Sequence, residues 1–90
     1  MHLILYSKPD CCLCASLHHK LQKVQEIAPD LHLTLTVRDI LTNPQWEQRY
    51  NLTVPVLCWY DTETELPRFS PRADEYTIAK LLRKHNSIPN

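Results

Sequence analysis

The sequence predicts an α/β fold with the element order β-α-β-α-β-β-α, in which a four-stranded mixed sheet is flanked by three helices. An apolar run at residues 3–6 is followed by a stretch whose leucines recur at intervals of three or four, which is the spacing of a helix. Residues 31–37 alternate apolar and polar side chains, as a half-buried strand does. Residues 52–60 and 66–69 are separated by a polar turn, a pattern typical of a hairpin.

Length and charge limit the kinds of function that are expected. Ninety residues suffice for a modest core, so we expect residues 1–90 to form a single domain. Ten basic and ten acidic residues give nucleic-acid binding no electrostatic support. No apolar run approaches the roughly 20 residues needed to span a bilayer, and the N-terminus lacks the features of a signal peptide. We therefore expect a cytoplasmic protein without a membrane or nucleic-acid partner, and we expect a monomer.

The first half of the chain predicts a β-α-β unit. Strand 1, at about residues 2–7, is apolar on both faces, which is typical of a strand inside a sheet. Helix 1 is predicted from Cys11 to Ile27, because Pro29 cannot continue a helix. The long helical connection to strand 2, within residues 31–37, favours parallel pairing of the two strands.

The second half of the chain predicts a short helix, a hairpin and a last helix. Helix 2 begins at Pro44, capped by Thr42 or Asn43, and ends near Tyr50. Residues 52–60 have the strongest β-propensity in the chain, and residues 66–69 are predicted to return beside them. Helix 3 is predicted to open at Ser70–Pro71, where a capping residue again precedes a proline, and to stop at Asn86.

Two cysteines bracket the first turn of helix 1. Cys11 and Cys14 are three residues apart, so their side chains share one face of a helix. The N–H groups at a helix start favour negative charge, which makes a thiolate more favourable there than in water. A Cys-x-x-Cys at a strand-to-helix junction is typical of a redox dithiol. The crowding of cysteines at positions 11, 12 and 14 argues against a structural staple between distant parts of the chain.

These elements resemble the glutaredoxin-like branch of the thioredoxin fold over nearly the whole chain. Lys8, Cys11 and Cys14 follow a strand in the family's order. Residues 53–55, Thr-Val-Pro, stand at the head of a strand where the family has its cis-proline. Residues 70–74, Ser-Pro-Arg-Ala-Asp, stand where glutaredoxins usually carry a Gly-Gly-x-x-Asp turn. The chain looks most like short glutaredoxin-like proteins with a Cys-x-x-Cys motif.

The resemblance implies a thiol–disulfide oxidoreductase that reduces mixed disulfides of proteins or of glutathione. Cys11 is predicted to be the nucleophile and Cys14 the resolving thiol. Disulfide-containing proteins are the expected substrates, and either glutathione, as a co-substrate, or a thioredoxin-type reductase would supply electrons. No bound cofactor and no metal are expected.

Further residues are predicted to bind substrate or glutathione: Lys8, Val54, Pro55, Arg72 and Asp74. A cis bond between Val54 and Pro55, facing the dithiol, would leave the Val54 backbone free to pair with a bound peptide or with glutathione. Ser70 and Pro71 replace the double glycine of the family, and Pro71 has no N–H to donate. We therefore expect weak glutathione binding.

Several neighbouring residues have more than one interpretation. Lys8 stabilises a thiolate or is an ordinary loop lysine, and Asp10 either disfavours the thiolate of Cys11 or caps helix 1, or does both. Cys12 is expected to be exposed, as a modifiable thiol or as a chance small residue, whereas Cys58 is expected in the core. His18 lies four residues after Cys14, but no second pair downstream completes a zinc site.

Two other classes of function stay open at this point. One is a non-catalytic thioredoxin-fold carrier or redox sensor, which acts through its thiols without turnover. The other is an interaction domain whose cysteines have no redox role.

Overall fold

A computed structural model describes residues 1–70 and 72–86 of the chain and has the first strand at the centre of the sheet. The described helices and strands alternate along the chain, in the order β1 (His2–Ser7), α1 (Cys12–Ile27), β2 (Thr34–Asp39), α2 (Pro44–Tyr50), β3 (Val56–Trp59) and α3 (Glu75–Asn86). Short 3₁₀ turns precede β2 and α2. Within the described residues no helix is both long and apolar enough to cross a membrane.

β1 is an interior strand, as its two apolar faces predict. It pairs in parallel with β2, where Leu5 lies opposite Val37, and antiparallel with β3, where Leu5 lies opposite Leu57. Successive side chains of a strand point to opposite faces, so β1 contributes to two separate cores. Leu3 and Leu5 pack with α1 and α3, whereas Ile4 and Tyr6 pack with α2.

The prediction of a fourth strand is wrong, since the sheet of the described residues has three strands in the order β2-β1-β3. The chain does return beside β3, but the pairing consists of one bridge, between Cys58 and Glu65, and two hydrogen bonds across the return. These run from the Trp59 N–H to the Thr64 carbonyl at 2.9 Å and from the Leu66 N–H to the Leu57 carbonyl at 2.8 Å. Pro67 follows directly, and a proline has no N–H with which to extend a ladder. The hairpin is therefore present only as a loop.

Helix α1 starts and stops close to the predicted boundaries. Its N-cap is Cys11 rather than Asp10, because the Cys11 sulfur accepts the Cys14 backbone N–H at 3.2 Å. Asp10 instead adopts a left-handed conformation with φ 61°, which reverses the chain between β1 and α1. The helix ends at Ile27, as predicted, and Ala28 is its C-cap, directly before Pro29.

The start of β2 shifts for a local reason, whereas α2 has its predicted bounds, Pro44–Tyr50. β2 starts at Thr34 because residues Pro29–Leu31 form a 3₁₀ turn, with His32 in the left-handed region after it. α2 is capped by the Asn43 carboxamide, which accepts the Gln45 N–H at 2.9 Å. This contact decides between the two predicted caps.

Helix α3 begins at Glu75, four residues after the predicted opening at Ser70–Pro71. Asp74 caps it, since its carboxylate accepts the Thr77 N–H at 2.8 Å. Pro71 lies outside the described residues. The predicted inward stripe of α3 is present at Ile78 and Leu82, which are fully buried against the core that also holds Leu3.

Candidate redox site

Cys11 and Cys14 form a disulfide at the start of α1, with their Cα atoms 5.2 Å apart. Cys11 is the N-cap, with an extended backbone (φ −102°, ψ 106°), and Cys14 lies in the first helical turn. Proximity follows from the helix itself, because residues three apart are neighbours on one face. The pair can therefore interconvert between dithiol and disulfide with its backbone held by the helix.

The two cysteines differ in access to solvent. Cys14 is 3% exposed, whereas Cys11 is half-buried. The Cys14 N–H points at the Cys11 sulfur at 3.2 Å, and such a donor at a helix start stabilises a thiolate. The arrangement suits Cys11 as the attacking sulfur and Cys14 as the sulfur that closes the ring.

The other two cysteines are free and have opposite surroundings. Cys12 is exposed and Cys58 is buried. Cys58 packs with Ile4 and Tyr50 in the core beneath α2, and burial raises the pKa of its thiol. A buried protonated thiol is a poor nucleophile, so the expectation that Cys58 is a core residue is confirmed.

Lys8 and Asp10 lie on the loop that leads into the dithiol. The Lys8 ammonium donates to the Asn51 carbonyl at 3.3 Å, so it ties this loop to the segment that follows α2. Asp10 is exposed and, as stated above, does not cap the helix. Lys8 therefore has a structural contact in addition to its charge.

The segment between α2 and β3 brings Pro55 to the site, and the Val54–Pro55 peptide bond is cis. The Val54 N–H is not free, however, because it donates to the Tyr50 carbonyl at 3.0 Å. Thr53 makes the same kind of bond, from its N–H to the Tyr50 carbonyl at 2.9 Å. The expectation that the Val54 backbone is available to a ligand is thus wrong for its N–H, because the end of α2 has already used that donor.

The predicted glutathione residues near α3 are also engaged within the chain. The Asp74 carboxylate accepts the Thr77 N–H, and this backbone hydrogen bond lowers the pKa of Asp74. The Arg72 N–H donates to the Ser70 hydroxyl at 3.2 Å, and the Arg72 side chain is exposed. Pro71, whose missing N–H predicted weak binding, lies outside the described residues.

Arg68 is a residue of the site that the sequence pattern did not reveal. Its guanidinium donates to the Thr53 carbonyl, so it ties the loop after β3 to the segment before Pro55. No motif marks this contact, because it depends on two loops that meet only in the folded chain. The charge of an isolated loop arginine was the only available signal.

A cavity of ≈ 100 Å³ opens beside the dithiol turn. Leu13, which stands between Cys12 and Cys14, lines it from α1, and Pro55 lines it from the start of β3. The loop around Arg68 and the start of α3 close the other sides. The cavity therefore adjoins the two sequence features that carry the resemblance, the dithiol turn and the Thr-Val-Pro segment.

The part of the chain that the structure describes contains no cluster of side chains suited to a metal ion. There, no three side chains among the histidines, cysteines, aspartates and glutamates are grouped so that they could hold an ion. Cys14, one of the two residues considered for such a site, is instead bonded to Cys11.

A family model described as "Glutaredoxin-like domain (DUF836)" matches residues 2–83 of the chain. The match spans the dithiol, the Thr-Val-Pro segment and most of α3. A search of curated proteins found no match.

Comparison with solved structures adds the fold. A structural genomics target protein from X. campestris is 24% identical with TM-score 0.65, and the match covers 91% of this chain and 96% of that one. A thioredoxin from Thermosipho africanus is 24% identical with TM-score 0.57, over 97% of this chain and 100% of that one. A mutant thioredoxin from Halobacterium salinarum is 16% identical with TM-score 0.66, over 99% and 77%. At these identities the likeness shows a thioredoxin-like α/β fold.

Proposed function

The chain belongs to the family of glutaredoxin-like domains, and from that premise we propose that it is a thiol–disulfide oxidoreductase whose reactive group is the Cys11–Cys14 dithiol. Its substrates in this proposal are disulfide-containing proteins and mixed disulfides of glutathione. We further propose that the protein is cytoplasmic and that it acts as a single-domain monomer without a bound cofactor.

One observation carries the proposal: a disulfide joins an accessible helix-capping cysteine to a buried cysteine three residues later. The Cys14 N–H at the Cys11 sulfur offers a donor to a thiolate, and the start of α1 adds its partial positive charge. Redox-active pairs need such an asymmetry, because one sulfur must meet the substrate while the other stays close to the first.

In the proposed reaction the Cys11 thiolate attacks one sulfur of a substrate disulfide. A mixed disulfide forms, and the other substrate sulfur leaves as a thiolate that takes up a proton. Cys14 then loses its proton and attacks the Cys11 sulfur, so that the second substrate sulfur leaves and the Cys11–Cys14 disulfide closes. Two electrons and two protons pass from the dithiol to the substrate, and glutathione or a thioredoxin-type reductase would restore the dithiol.

Single-cysteine variants test this assignment in a stoichiometric reaction of the pre-reduced protein with hydroxyethyl disulfide. Cys14→Ser should accumulate a mixed disulfide at position 11, because nothing resolves it, and Cys11→Ser should lose the reaction. Cys12→Ser is the matched control and should behave as the wild-type protein. Mass spectrometry of the intact protein and of its peptides identifies each adduct.

Two results would contradict the proposal. One is identical behaviour of the Cys11 and Cys14 variants. The other is peptide mapping that finds a dominant bridge through Cys12 or Cys58 after mild oxidation of the wild-type protein.

A further inference from the structure

The segment that joins α2 to β3, residues 51–55, is held largely by hydrogen bonds of its backbone. Its first three residues are exposed, Leu52 to 94%, so their side chains add little packing. The Arg68 guanidinium, from the loop after β3, donates to the Thr53 carbonyl. The orientation of the segment beside the dithiol turn therefore depends on a few polar contacts.

The peptide unit that joins Thr53 to Val54 is bonded at both of its polar groups. Its carbonyl accepts from Arg68, and its N–H, which belongs to Val54, donates to the Tyr50 carbonyl at 3.0 Å. A peptide unit is planar, so its C=O and its N–H turn together. The Thr53–Val54 unit can therefore rotate only if both contacts break.

The two contacts differ in strength. The Tyr50 carbonyl accepts three donors: the Thr53 N–H at 2.9 Å, the Val54 N–H at 3.0 Å and the Thr53 hydroxyl at 3.3 Å. A carbonyl oxygen has two lone pairs, so it stays satisfied when the Val54 N–H leaves. The bond from Arg68 is charge-assisted, and such bonds are roughly twice as strong as neutral ones. Arg68 is accordingly the contact that decides which way the peptide unit faces.

The direction of this peptide unit matters because of its place in the fold. Val54 directly precedes Pro55, which lines the cavity beside the dithiol turn together with Leu13. A disulfide made from peptides carries a carbonyl a few atoms from each sulfur, and an outward N–H at Val54 could donate to such a carbonyl. In the observed orientation this N–H faces Tyr50 instead.

The loss of one backbone donor affects small polar ligands most. Glutathione is a tripeptide without a large apolar side chain, so hydrogen bonds and charge contacts supply most of its binding energy. A ligand that needs the Val54 N–H must first break the bond to Tyr50, whereas hydroxyethyl disulfide has no peptide group and needs no backbone donor.

We propose that Arg68 is a specificity-determining residue: by holding the Thr53 carbonyl it keeps the Val54 N–H turned away from ligands of the dithiol and so disfavours glutathione disulfide. This inference rests on the proposed oxidoreductase function and specifies its substrates. In the reaction with glutathione disulfide the Cys11 thiolate displaces one glutathione, and Cys14 displaces the other. The dithiol thereby loses two electrons and two protons, which appear in two molecules of glutathione.

The first test compares two disulfides in stoichiometric reactions of the pre-reduced protein. The rate with glutathione disulfide is divided by the rate with hydroxyethyl disulfide, so that changes in the intrinsic reactivity of Cys11 cancel. Arg68→Gln should raise this ratio about fivefold, the order expected for one recovered hydrogen bond. Arg68→Lys keeps a charged donor and should stay within about twofold of the wild-type ratio. Arg83→Gln is the matched control, because its guanidinium binds Asp30 and not the site.

The sign of the change separates this role from simple electrostatics. Glutathione disulfide is an anion, so loss of a positive charge by itself slows its association. If Arg68 instead bound a carboxylate of glutathione, Arg68→Gln would lower the ratio. A higher ratio is therefore opposite to both effects of charge.

The second test observes the peptide unit directly, by NMR-detected hydrogen exchange of the ligand-free protein. In Arg68→Gln the Val54 amide should exchange about tenfold faster than in Arg83→Gln, because its orientation is no longer fixed. The Thr53 amide keeps the Tyr50 carbonyl and should change by about twofold or less. The amides of β1 report any general loss of stability and should be unchanged.

The outcomes distinguish the two proposals. A ratio in Arg68→Gln that is equal to or below the wild-type ratio, or an unchanged exchange rate of the Val54 amide, overturns the role of Arg68, while reduction of hydroxyethyl disulfide leaves the oxidoreductase function standing. Arg68→Lys that behaves as Arg68→Gln would also contradict the role of a charged donor. If the wild-type protein reduces neither disulfide, the oxidoreductase function itself fails, and the specificity assigned to Arg68 fails with it.

Discussion

At the scale of single residues, Asp10 shows how a chain without glycine makes a sharp reversal. The sequence contains no glycine, and Asp10 occupies the left-handed region with φ 61° directly before Cys11, the proposed nucleophile. Aspartate and asparagine tolerate this conformation better than other non-glycine residues, because their short side chains can hydrogen-bond locally. The same side chain puts a negative charge beside Cys11, where the proposed reaction requires a thiolate.

Asp10→Asn should therefore increase the reactivity of Cys11 without altering the turn. Removing the carboxylate removes a like charge and raises the thiolate fraction. For an exposed neighbour, where the interaction is about 1 kcal/mol or less, the rate of alkylation below neutral pH should rise by a factor of about two to three. The measurement is the alkylation rate of the reduced protein as a function of pH, resolved by peptide mass spectrometry.

Asp61→Asn is the matched control for this prediction. It removes the same charge from the turn after β3. This turn lies at the opposite end of β1 from the dithiol, because the Tyr60 N–H donates to the carbonyl of His2, the first residue of β1. Equal acceleration in both variants would mean that net charge alone, and not the neighbouring carboxylate, sets the reactivity of Cys11.

At the scale of elements, the start of α3 depends on which of two candidate residues, Ser70 or Asp74, caps the helix. Two sites along residues 70–74 offer a capping side chain, and Asp74 is the one whose carboxylate accepts the Thr77 N–H. Ser70 instead accepts the Arg72 N–H, which makes a turn before the helix. Ile78 and Leu82 then lie against α1 and β1 in the larger core, so the cap fixes the start of a helix that the core requires.

Asp74→Ala should lower the thermal midpoint by several degrees, because the loss of an N-cap leaves a backbone N–H of the helix start without its acceptor. Asp74→Asn should retain most of the midpoint, since a carboxamide oxygen also caps. The comparison is made by circular dichroism at neutral pH. Because the Thr77 N–H lowers the pKa of Asp74, the difference between wild type and Asp74→Ala should shrink as the pH falls through the pKa of the folded protein. A difference that persists in strong acid would contradict a role for the ionised carboxylate.

At the scale of the whole molecule, the smaller core holds ionisable groups in their neutral forms. Tyr50 is 4% exposed, its ring is stacked on that of Tyr6 at 4.4 Å between centroids, and it packs with Cys58. Burial, with the proximity of Cys58 as the next cause, raises the pKa of Tyr50 from 10.0 to about 12. The folded state therefore holds this proton more tightly than the unfolded state does.

The sign of the resulting pH dependence follows from linkage. Below the unfolded pKa the stabilisation from the neutral Tyr50 is fully present, and it is lost as the pH rises through the folded pKa of about 12, because the unfolded chain releases the proton first. As the pH rises above 10, the free energy of unfolding of Tyr50→Phe should accordingly fall less than that of the wild-type protein. Urea unfolding at a series of alkaline pH values measures the slope, and Tyr76→Phe is the control because Tyr76 is 66% exposed. Parallel slopes for wild type and Tyr50→Phe would show that the phenol does not couple to folding.

Local patterns in the sequence were enough to predict the three helices, the three strands of the sheet and the proximity of Cys11 and Cys14. β1 was identified as an interior strand because both of its faces are apolar, and it is the central strand of the sheet. α1 and α2 follow from helical spacing and from the prolines at their ends. The proximity of Cys11 and Cys14 requires only that a helix begins there.

Other features depend on which segments meet, and no local pattern contains that information. Arg68 reaches the Thr53 carbonyl only because the loop after β3 meets the segment before Pro55. Lys8 reaches the Asn51 carbonyl only because the loop before α1 meets the end of α2. The cavity is formed by four separate parts of the chain. The absence of a fourth strand in the described residues is an intermediate case. Pro67, which cannot extend a ladder, is present in the sequence, but only the structure shows that the pairing at Glu65 is a single bridge.

The sequence by itself therefore determined the three helices, the three strands of the sheet and the proximity of Cys11 and Cys14, because each depends on residues a few positions apart. Only the tertiary structure decided which loops meet near the dithiol, through Lys8 and Arg68, and where the cavity opens, because those contacts join residues that are distant along the chain. In this protein both kinds of feature, local and long-range, occur at the candidate redox site. The two sulfurs belong to one helical turn, whereas the cavity beside that turn is assembled from loops and helices that the fold brings together.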